Sequence, residues 1–246
     1  MSSFTSRLAA WLLCSFTALA AQSLPAGTVL PVMVSSTMSA KKDKPGQKIE
    51  GKLMQELRLA DGAVIKKGSR VTGQALSVQR PARITLQFTQ LQDGDHTIPL
   101  NVSLRALAAP QSVFQAGLPA DASTSDQSNE WVTQQVGGDY VFRGRGYVAS
   151  NEGRVGRWAG GGVWGRLSEG ENCPDTPDNP EEQALWIFST TACGAYGFDD
   201  LTIASRGNEA PLGQITLESA KEAQVRGGSG WLLVVNPAAK PDGKGP

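Results

Sequence analysis

Histidine and cysteine are scarce in this chain, and neither sign of charge is in excess. The 246 residues include one histidine and three cysteines, and 23 basic side chains balance 23 acidic ones. The single histidine, His96, leaves too few ligands for a histidine-based zinc site. The balanced charge gives no electrostatic basis for binding nucleic acid or an anionic membrane surface. The sequence therefore predicts no cofactor and no nucleic-acid partner.

Long apolar runs are also absent, except at the N-terminus. Arg7 precedes an apolar run from Leu8 to Leu19, and the small residues Ala18 and Ala20 suit a signal peptidase. The run is shorter than the ~20 residues that span a bilayer as a helix. Residues 1–21 are therefore predicted to be a signal peptide. We expect export to the periplasm, the outer envelope or the medium, without a transmembrane anchor after cleavage.

Two cysteines follow the predicted signal peptide, Cys173 and Cys193. In an oxidising compartment two such cysteines most simply form a disulfide. This bond would close a loop of about 20 residues, and the chain-entropy model assigns it roughly 3 kcal/mol of stability. Zinc is the alternative, but two thiolates need further ligands, and His96 is far away in sequence.

Helix-forming runs are few, whereas the chain contains 28 glycines and 14 prolines. Short apolar segments separated by such turn residues are typical of all-β proteins. The glycines have no three-residue period, which excludes collagen. The sequence predicts a mostly all-β fold, with a small β-barrel or sandwich followed by a glycine-rich β domain.

Shifts in composition predict the domain boundaries. Residues 22–107 form the barrel or sandwich of about six short strands, and residues 108–130 form a linker in which Val113-Phe114 and Leu118 dock onto a neighbouring surface. Residues 131–236 form a glycine- and tryptophan-rich β domain with the disulfide, and 237–246 a disordered tail.

Two segments have patterns that bear on strand environment. Gly27 to Ser36 is rich in valine and poor in polar residues, which predicts a strand covered on both faces. Glu181 to Phe188 follows Pro180 and fits either the start of a helix or a buried strand, with a strand favoured from Leu185.

Three short stretches carry a family resemblance. They are Leu24 to Val32 (LPAGTVLPV), the turn Pro45-Gly46-Gln47, and Val64 to Gly73 (VIKKGSRVTG). Together they resemble the β-domain of type IV secretion and conjugation channel scaffold proteins, although Lys66-Lys67 stands where that family usually has a proline. The resemblance implies a β-fold and, in function, membership of a secretion channel. The same pattern, with Ala192 to Phe198, resembles exported bacterial proteins that have no known activity.

All five tryptophans that follow the predicted signal peptide lie in the second half of the chain. Trp158 and Trp164 flank Gly160-Gly161-Gly162 and are candidates for an exposed ligand-binding surface on which sugars stack. Trp186 and Trp231 lie in apolar runs typical of core strands. Core packing is the alternative for the first pair as well.

Acidic residues crowd the segment around Cys173. Asp175, Asp178 and Glu181 are candidate calcium ligands, since calcium binds six to eight oxygens. The segment lacks the regular spacing and turn glycine of a calcium loop, so the alternative is a solvated acidic loop with no metal.

Two other patterns lack the context that catalysis or cofactor binding requires. Gly160 to Gly165 matches the letters of a G-x-G-x-x-G nucleotide loop, but no helix follows it. His96 lies beside Asp93 and Asp95, but no G-x-S-x-G or H-E-x-x-H motif supplies a nucleophile or a metal. The sequence assigns no catalytic residue.

Together these features predict an exported, non-catalytic envelope protein that acts by protein–protein contacts, through sheet edges and surface loops, including strand addition to an envelope partner. The alternative is a carbohydrate-binding module that presents Trp158 and Trp164 to a glycan. A second alternative is a hydrolase that uses carboxylates between residues 169 and 182.

Overall fold

The computed structural model describes residues 23–120, 132–169, 173 and 179–238. Nearly all of the regular structure is β, as the sequence predicts. The predicted signal peptide, residues 121–130 of the predicted linker and most of the predicted tail lie outside the described residues.

The described residues contain twenty strands, one α-helix and a one-turn 3-10 helix, Arg143–Arg145. The elements are β1 (Val29–Val34), β2 (Met38–Ser39), β3 (Lys48–Leu53), β4 (Leu57–Arg58), β5 (Val64–Ile65), β6 (Arg70–Gln79), β7 (Arg83–Asp93), β8 (His96–Pro99), β9 (Val102–Ala108), α1 (Pro110–Gln115), β10 (Val132–Gln134), β11 (Tyr140–Phe142), β12 (Tyr147–Ser150), β13 (Gly153–Ala159), β14 (Gly162–Gly165), β15 (Gln183–Trp186), β16 (Gly194–Tyr196), β17 (Leu201–Ser205), β18 (Ile215–Ser219), β19 (Gln224–Val225) and β20 (Gly230–Val235).

Two sheets make up most of the fold. The first is a nearly closed barrel with strand order β16-β9-β20-β1-β3-β6-β7-β18-β17, to which β8 is added at β7. Its pairs are antiparallel except β16 with β9, which is parallel. The second sheet is an antiparallel, curled meander of β10 to β15 in chain order. Two-stranded ribbons, β2 with β19 and β4 with β5, complete the sheets.

The two sheets do not coincide with the two predicted β domains, because the second predicted domain contributes strands to both sheets. Strands β16, β17, β18 and β20 come from the segment 131–236, yet they pair within the first sheet. Part of the predicted linker is regular, since Pro110–Gln115 forms α1. The ambiguous segment before Phe188 forms β15 at Gln183–Trp186, which agrees with the strand alternative.

Strands β1, β9 and β20 are buried on both faces. Along β20, Trp231, Leu233 and Val235 belong to the cluster that fills the barrel. The intervening Leu232 and Val234 belong to a second cluster, which the second sheet covers. The predicted double burial of Gly27 to Ser36 is confirmed in β1, where five of six residues are buried and one is half-buried.

Two buried glutamines connect the second sheet to the first. The side chain of Gln55 is 3% exposed. Its Nε2 donates to the carbonyl oxygen of Val163 at 3.0 Å, and its Oε1 accepts from the backbone N–H of Trp186 at 2.8 Å. The side-chain amide of Gln55 therefore makes the two hydrogen bonds that a backbone peptide group would make between β14 and β15. In the same interface, Gln183 Oε1 accepts from the N–H of Val29 at 3.1 Å.

This insertion constrains the residues around Gln55. A Cβ atom at Gly162 would lie 2.2 Å from Gln55 Oε1, so the position requires glycine. Trp186 has a φ of 53°, in the left-handed region that residues other than glycine adopt rarely. The close approach of Gln55 thus fixes the backbone where β14 meets β15.

We expect Gln55→Ala to lower the free energy of unfolding by about 2–4 kcal/mol, because it leaves a carbonyl and an N–H without partners inside the protein. Urea denaturation followed by circular dichroism measures this change. The control is Gln74→Ala, at an exposed position of β6, which should shift stability by no more than about 0.5 kcal/mol. Equal effects of the two variants would contradict the bridging role.

Candidate functional site

The two candidate tryptophans lie on one hairpin and face opposite sides of the second sheet. In the β13–β14 pair, Trp158 is opposite Val163, and Arg157 is opposite Trp164. Since opposite residues of an antiparallel pair share a face, Trp158 points to the second cluster with Val163, and Trp164 points away from it. The pair therefore does not form one shared stacking platform.

Trp164 is enclosed by the chain itself. Its side chain is 3% exposed, and the guanidinium carbons of Arg58 and Arg157 lie 5.1 and 5.0 Å from its ring centroid. Its indole N–H donates to the carbonyl oxygen of Ala159 at 3.2 Å. Sugar stacking requires a free ring face, so the contacts of Trp164 are those of a packed residue.

Trp158 is half-buried and packs against the second cluster. The guanidinium carbon of Arg143 lies 4.5 Å from its ring centroid. Such a cation–π contact is worth about 0.5–2 kcal/mol. The chain therefore already supplies a partner for this ring.

A groove of about 820 Å³ opens beside Trp164, where the segment before β1 meets the second sheet. Arg58, Arg157 and Arg166 line it. Arg58 and Arg157 are each paired with a glutamate at 2.6 Å. The charges of the groove are largely compensated within the chain, so the groove shows no clear preference for a ligand of either charge.

The calcium candidates are only partly described. Asp175 and Asp178 lie outside the described residues, and Glu181 is exposed. The next residue, Glu182, directs its carboxylate at Arg157. In the part of the chain that the structure describes, no group of three or more His, Cys, Asp or Glu side chains is placed to hold a metal ion.

Cys173 and Cys193 form a disulfide, as the sequence predicts, with 5.9 Å between their Cα atoms. Both residues are buried. Cys193 directly precedes β16 of the first sheet. The bond therefore fastens the chain at Cys173 to the barrel.

A buried arginine reinforces this attachment. Arg105, on β9, is 4% exposed, and its guanidinium donates to the carbonyl oxygens of Ser168 and Ala192. Burial, together with the nearby charge of Arg206, lowers the pKa of the Arg105 guanidinium. These contacts hold the backbone at Ser168, before Cys173, and at Ala192, before Cys193, against β9, so the charge of Arg105 has a structural role.

His96 is exposed on β8, opposite Asp93 in the β7–β8 pair. The single hydroxyl proton of Ser69 is shared between Asp93 Oδ1 and the carbonyl oxygen of Lys66, each 2.7 Å from the hydroxyl oxygen. Nucleophilic catalysis uses a hydroxyl bonded to the imidazole itself. Among the described contacts, the Ser69 hydroxyl is bonded to the carboxylate instead.

Of the three linker residues predicted to dock, one is packed against the protein and two are exposed. Val113 packs against the second cluster, as predicted for the Val113-Phe114 pair. The prediction is wrong for Phe114 and Leu118, which are 62% and 43% exposed. For Phe114 the difference follows from the helix, because α1 turns Val113 toward the sheets and Phe114 away from them, whereas Leu118 lies beyond the end of the helix at Gln115. Two large apolar side chains four residues apart are left on the surface.

Sequence reasoning missed the outer face of the second sheet, which is the face turned away from the second cluster. Tyr140, Phe142 and Tyr147 lie there with Arg154, and the rings of Phe142 and Tyr147 stack at 4.6 Å. The alternation of aromatic residues with buried valines in β11 and at the start of β12 was the available signal. The position of Arg154 depends on a bulge in β13, which that alternation does not reveal.

No described helix is both long and apolar enough to cross a membrane. Comparison with protein-family models, with curated proteins and with solved structures found no match to this chain. The functional argument therefore depends on the residues and their geometry alone.

We expect Trp164→Ala to lower the free energy of unfolding by about 3–5 kcal/mol, because it removes a buried ring from the packed interface. Tyr140→Ala, at a ring that is 36% exposed on the same sheet, should cost about 1 kcal/mol or less. Chemical denaturation of both variants measures the difference. If Trp164→Ala were as mild as Tyr140→Ala, Trp164 would not be a packing residue.

Proposed function

We propose that this chain is a non-catalytic exported protein of the bacterial envelope that acts by binding a partner protein. The observation that carries the proposal is the pair of exposed apolar side chains Phe114 and Leu118. Single exposed apolar residues are common on protein surfaces, whereas two large ones within five residues of chain favour an interaction site. We call this pair the α1 patch.

The α1 patch is held in a fixed position. The N–H of Ala109, just before the helix, donates to the carbonyl oxygen of Tyr196 at 2.9 Å. Val113 packs tightly against β20, since a Cβ atom at Gly230 would lie 3.2 Å from Val113 Cγ2. A patch on a rigid support loses little conformational entropy on binding, which supports a role in recognition.

The sheet edges support strand addition less well than the α1 patch supports side-chain contact. The first sheet is open between its end strands, β16 and β17. There, the N–H of Leu104 on β9 donates to the carbonyl oxygen of Arg206, which directly follows β17, at 2.8 Å. At the edge of the second sheet, the N–H of Ala120 donates to the carbonyl oxygen of Val132 at 2.8 Å. At each of these two places a backbone group near a sheet edge is already engaged, which favours a partner that binds at α1.

Export is part of the proposal and is supported by the predicted signal peptide, residues 1–21. The disulfide between Cys173 and Cys193 adds support, because such bonds persist in oxidising compartments. The resemblance of residues 24–73 to secretion-scaffold β-domains agrees with an envelope protein that works through contacts.

We expect a photo-cross-linking residue at position 118 to capture a distinct partner protein in intact cells, and Phe114→Ser to abolish that product by removing apolar contact area. Mass spectrometry identifies the captured protein. The matched control is the same probe at Val64, an equally apolar residue that is 50% exposed on β5, which should not capture it.

Two outcomes would contradict the proposal. Capture of the same proteins from positions 118 and 64 would show that the contact is not specific to the α1 patch. Cross-links only between two copies of this chain would replace the envelope partner with self-association.

A further inference from the structure

A small residue separates an aromatic from a cationic residue on the outer face of the second sheet. Pairing across β10 to β13 places Gln134, Tyr140, Ala149 and Arg154 in one row. Neighbouring strands lie about 4.8 Å apart, so Tyr140 and Arg154, two strands apart, are separated by about 10 Å. Between these two larger residues the row carries only the methyl group of Ala149, and we call this position the notch.

A β-bulge in β13 brings Arg154 to this face. Arg157 is opposite Tyr147, but Arg154 is opposite Ala149, so Val155 has no direct partner on β12. With regular alternation, Arg154 would point to the second cluster, where Val155 packs instead. Bulges commonly redirect a side chain at a functional site, and this one adds a second arginine to the outer face.

The Arg154 guanidinium is available to a ligand. The residue is exposed, and its guanidinium carbon lies 5.7 Å from the ring centroid of Tyr147. Its Nε makes one long hydrogen bond, of 3.4 Å, to the carbonyl oxygen of Gly156. Within the described ranges it forms no ion pair with a carboxylate.

Aromatic residues of β11 and β12 lie beside the notch on the same face of the sheet. Tyr140 is 36% exposed, and its hydroxyl accepts a hydrogen bond of 3.4 Å from Gln134 Nε2. The stacked rings of Phe142 and Tyr147, with 19° between their planes, lie along one side. An aromatic residue and an arginine thus stand on either side of Ala149, on strands about 10 Å apart.

We propose that the outer face of the second sheet binds an acidic polysaccharide, through a uronate unit that sits over Ala149, stacks on Tyr140 and binds Arg154 through its carboxylate. Arginine suits this role because its planar guanidinium binds a carboxylate through two parallel hydrogen bonds. All five basic residues between positions 132 and 169 are arginines. This site uses residues other than those of the α1 patch, so it extends the proposed function.

The spacing of charge favours a polysaccharide over a nucleic acid. A nucleic-acid strand carries a phosphate at every nucleotide, and its binding uses a continuous cationic track. Here single arginines are separated by aromatic and small residues, and the formal net charge of the chain is zero. A single uronate unit, with one carboxylate on a sugar ring, matches one arginine beside aromatic rings.

Isothermal titration of the mature protein with oligogalacturonate tests the proposal, with neutral dextran as the comparison ligand. We expect binding of oligogalacturonate only. Arg154→Gln should weaken it by about tenfold or more, because a charge-assisted hydrogen bond is lost. Ala149→Leu should weaken it as strongly by filling the notch. Arg166→Gln, at an exposed arginine outside the notch, should stay within about twofold.

Since all three positions are at least partly exposed, unchanged melting temperatures will show that the variants fold. Equal affinity for dextran would overturn the role of the carboxylate. Affinity unaffected by both Arg154→Gln and Ala149→Leu would overturn the site. Equal or tighter binding of oligo(dT) would overturn the ligand class in favour of a nucleic acid.

Discussion

Double burial of β1, β9 and β20 is the constraint on which the rest of the structure depends. One face of these strands fills the barrel, with Trp231 packed edge-on to Phe88 at 5.4 Å between centroids. The other face presents Leu232 and Val234, which must be covered. The second sheet provides that cover, so its inner face is committed to packing. The outer face of β10 to β12 and the helix α1 remain exposed for recognition, whereas at β14 the outer side of the sheet is packed through Trp164.

The interface between the sheets is positioned by buried polar groups as well as by apolar area. Gln55 is bonded to both β14 and β15, and Gln183 binds the backbone of β1. Apolar contacts tolerate sliding, whereas a buried amide must keep its particular partners or lose several kcal/mol. These bonds therefore set the orientation of the second sheet. A face held in this way presents its side chains in a fixed arrangement, which reduces the entropic cost of binding.

The two proposed surfaces lie close together. Gln134, which is in the row of Tyr140 and Arg154, lines a cavity of about 260 Å³ with Ser112 and Gln115 of α1. A protein partner at the α1 patch and a polysaccharide on the outer face would thus approach each other near β10. The tryptophans singled out from the sequence are not part of either surface, because Trp164 is enclosed by arginines and Trp158 faces the second cluster.

Local patterns in the sequence determined the β-rich class, the pairing of Cys173 with Cys193 and the double burial of the strand at Gly27 to Ser36. Each of these depends on alternation, turn residues or the count of cysteines. Tertiary structure alone decided that β16 to β18 and β20 complete the first sheet, that Trp158 and Trp164 face opposite sides, and that a bulge turns Arg154 outward. The physical reason is that the two-residue period of a strand shows which side chains share a face. It does not show which strands become neighbours, which face is covered, or where one extra residue reverses the alternation.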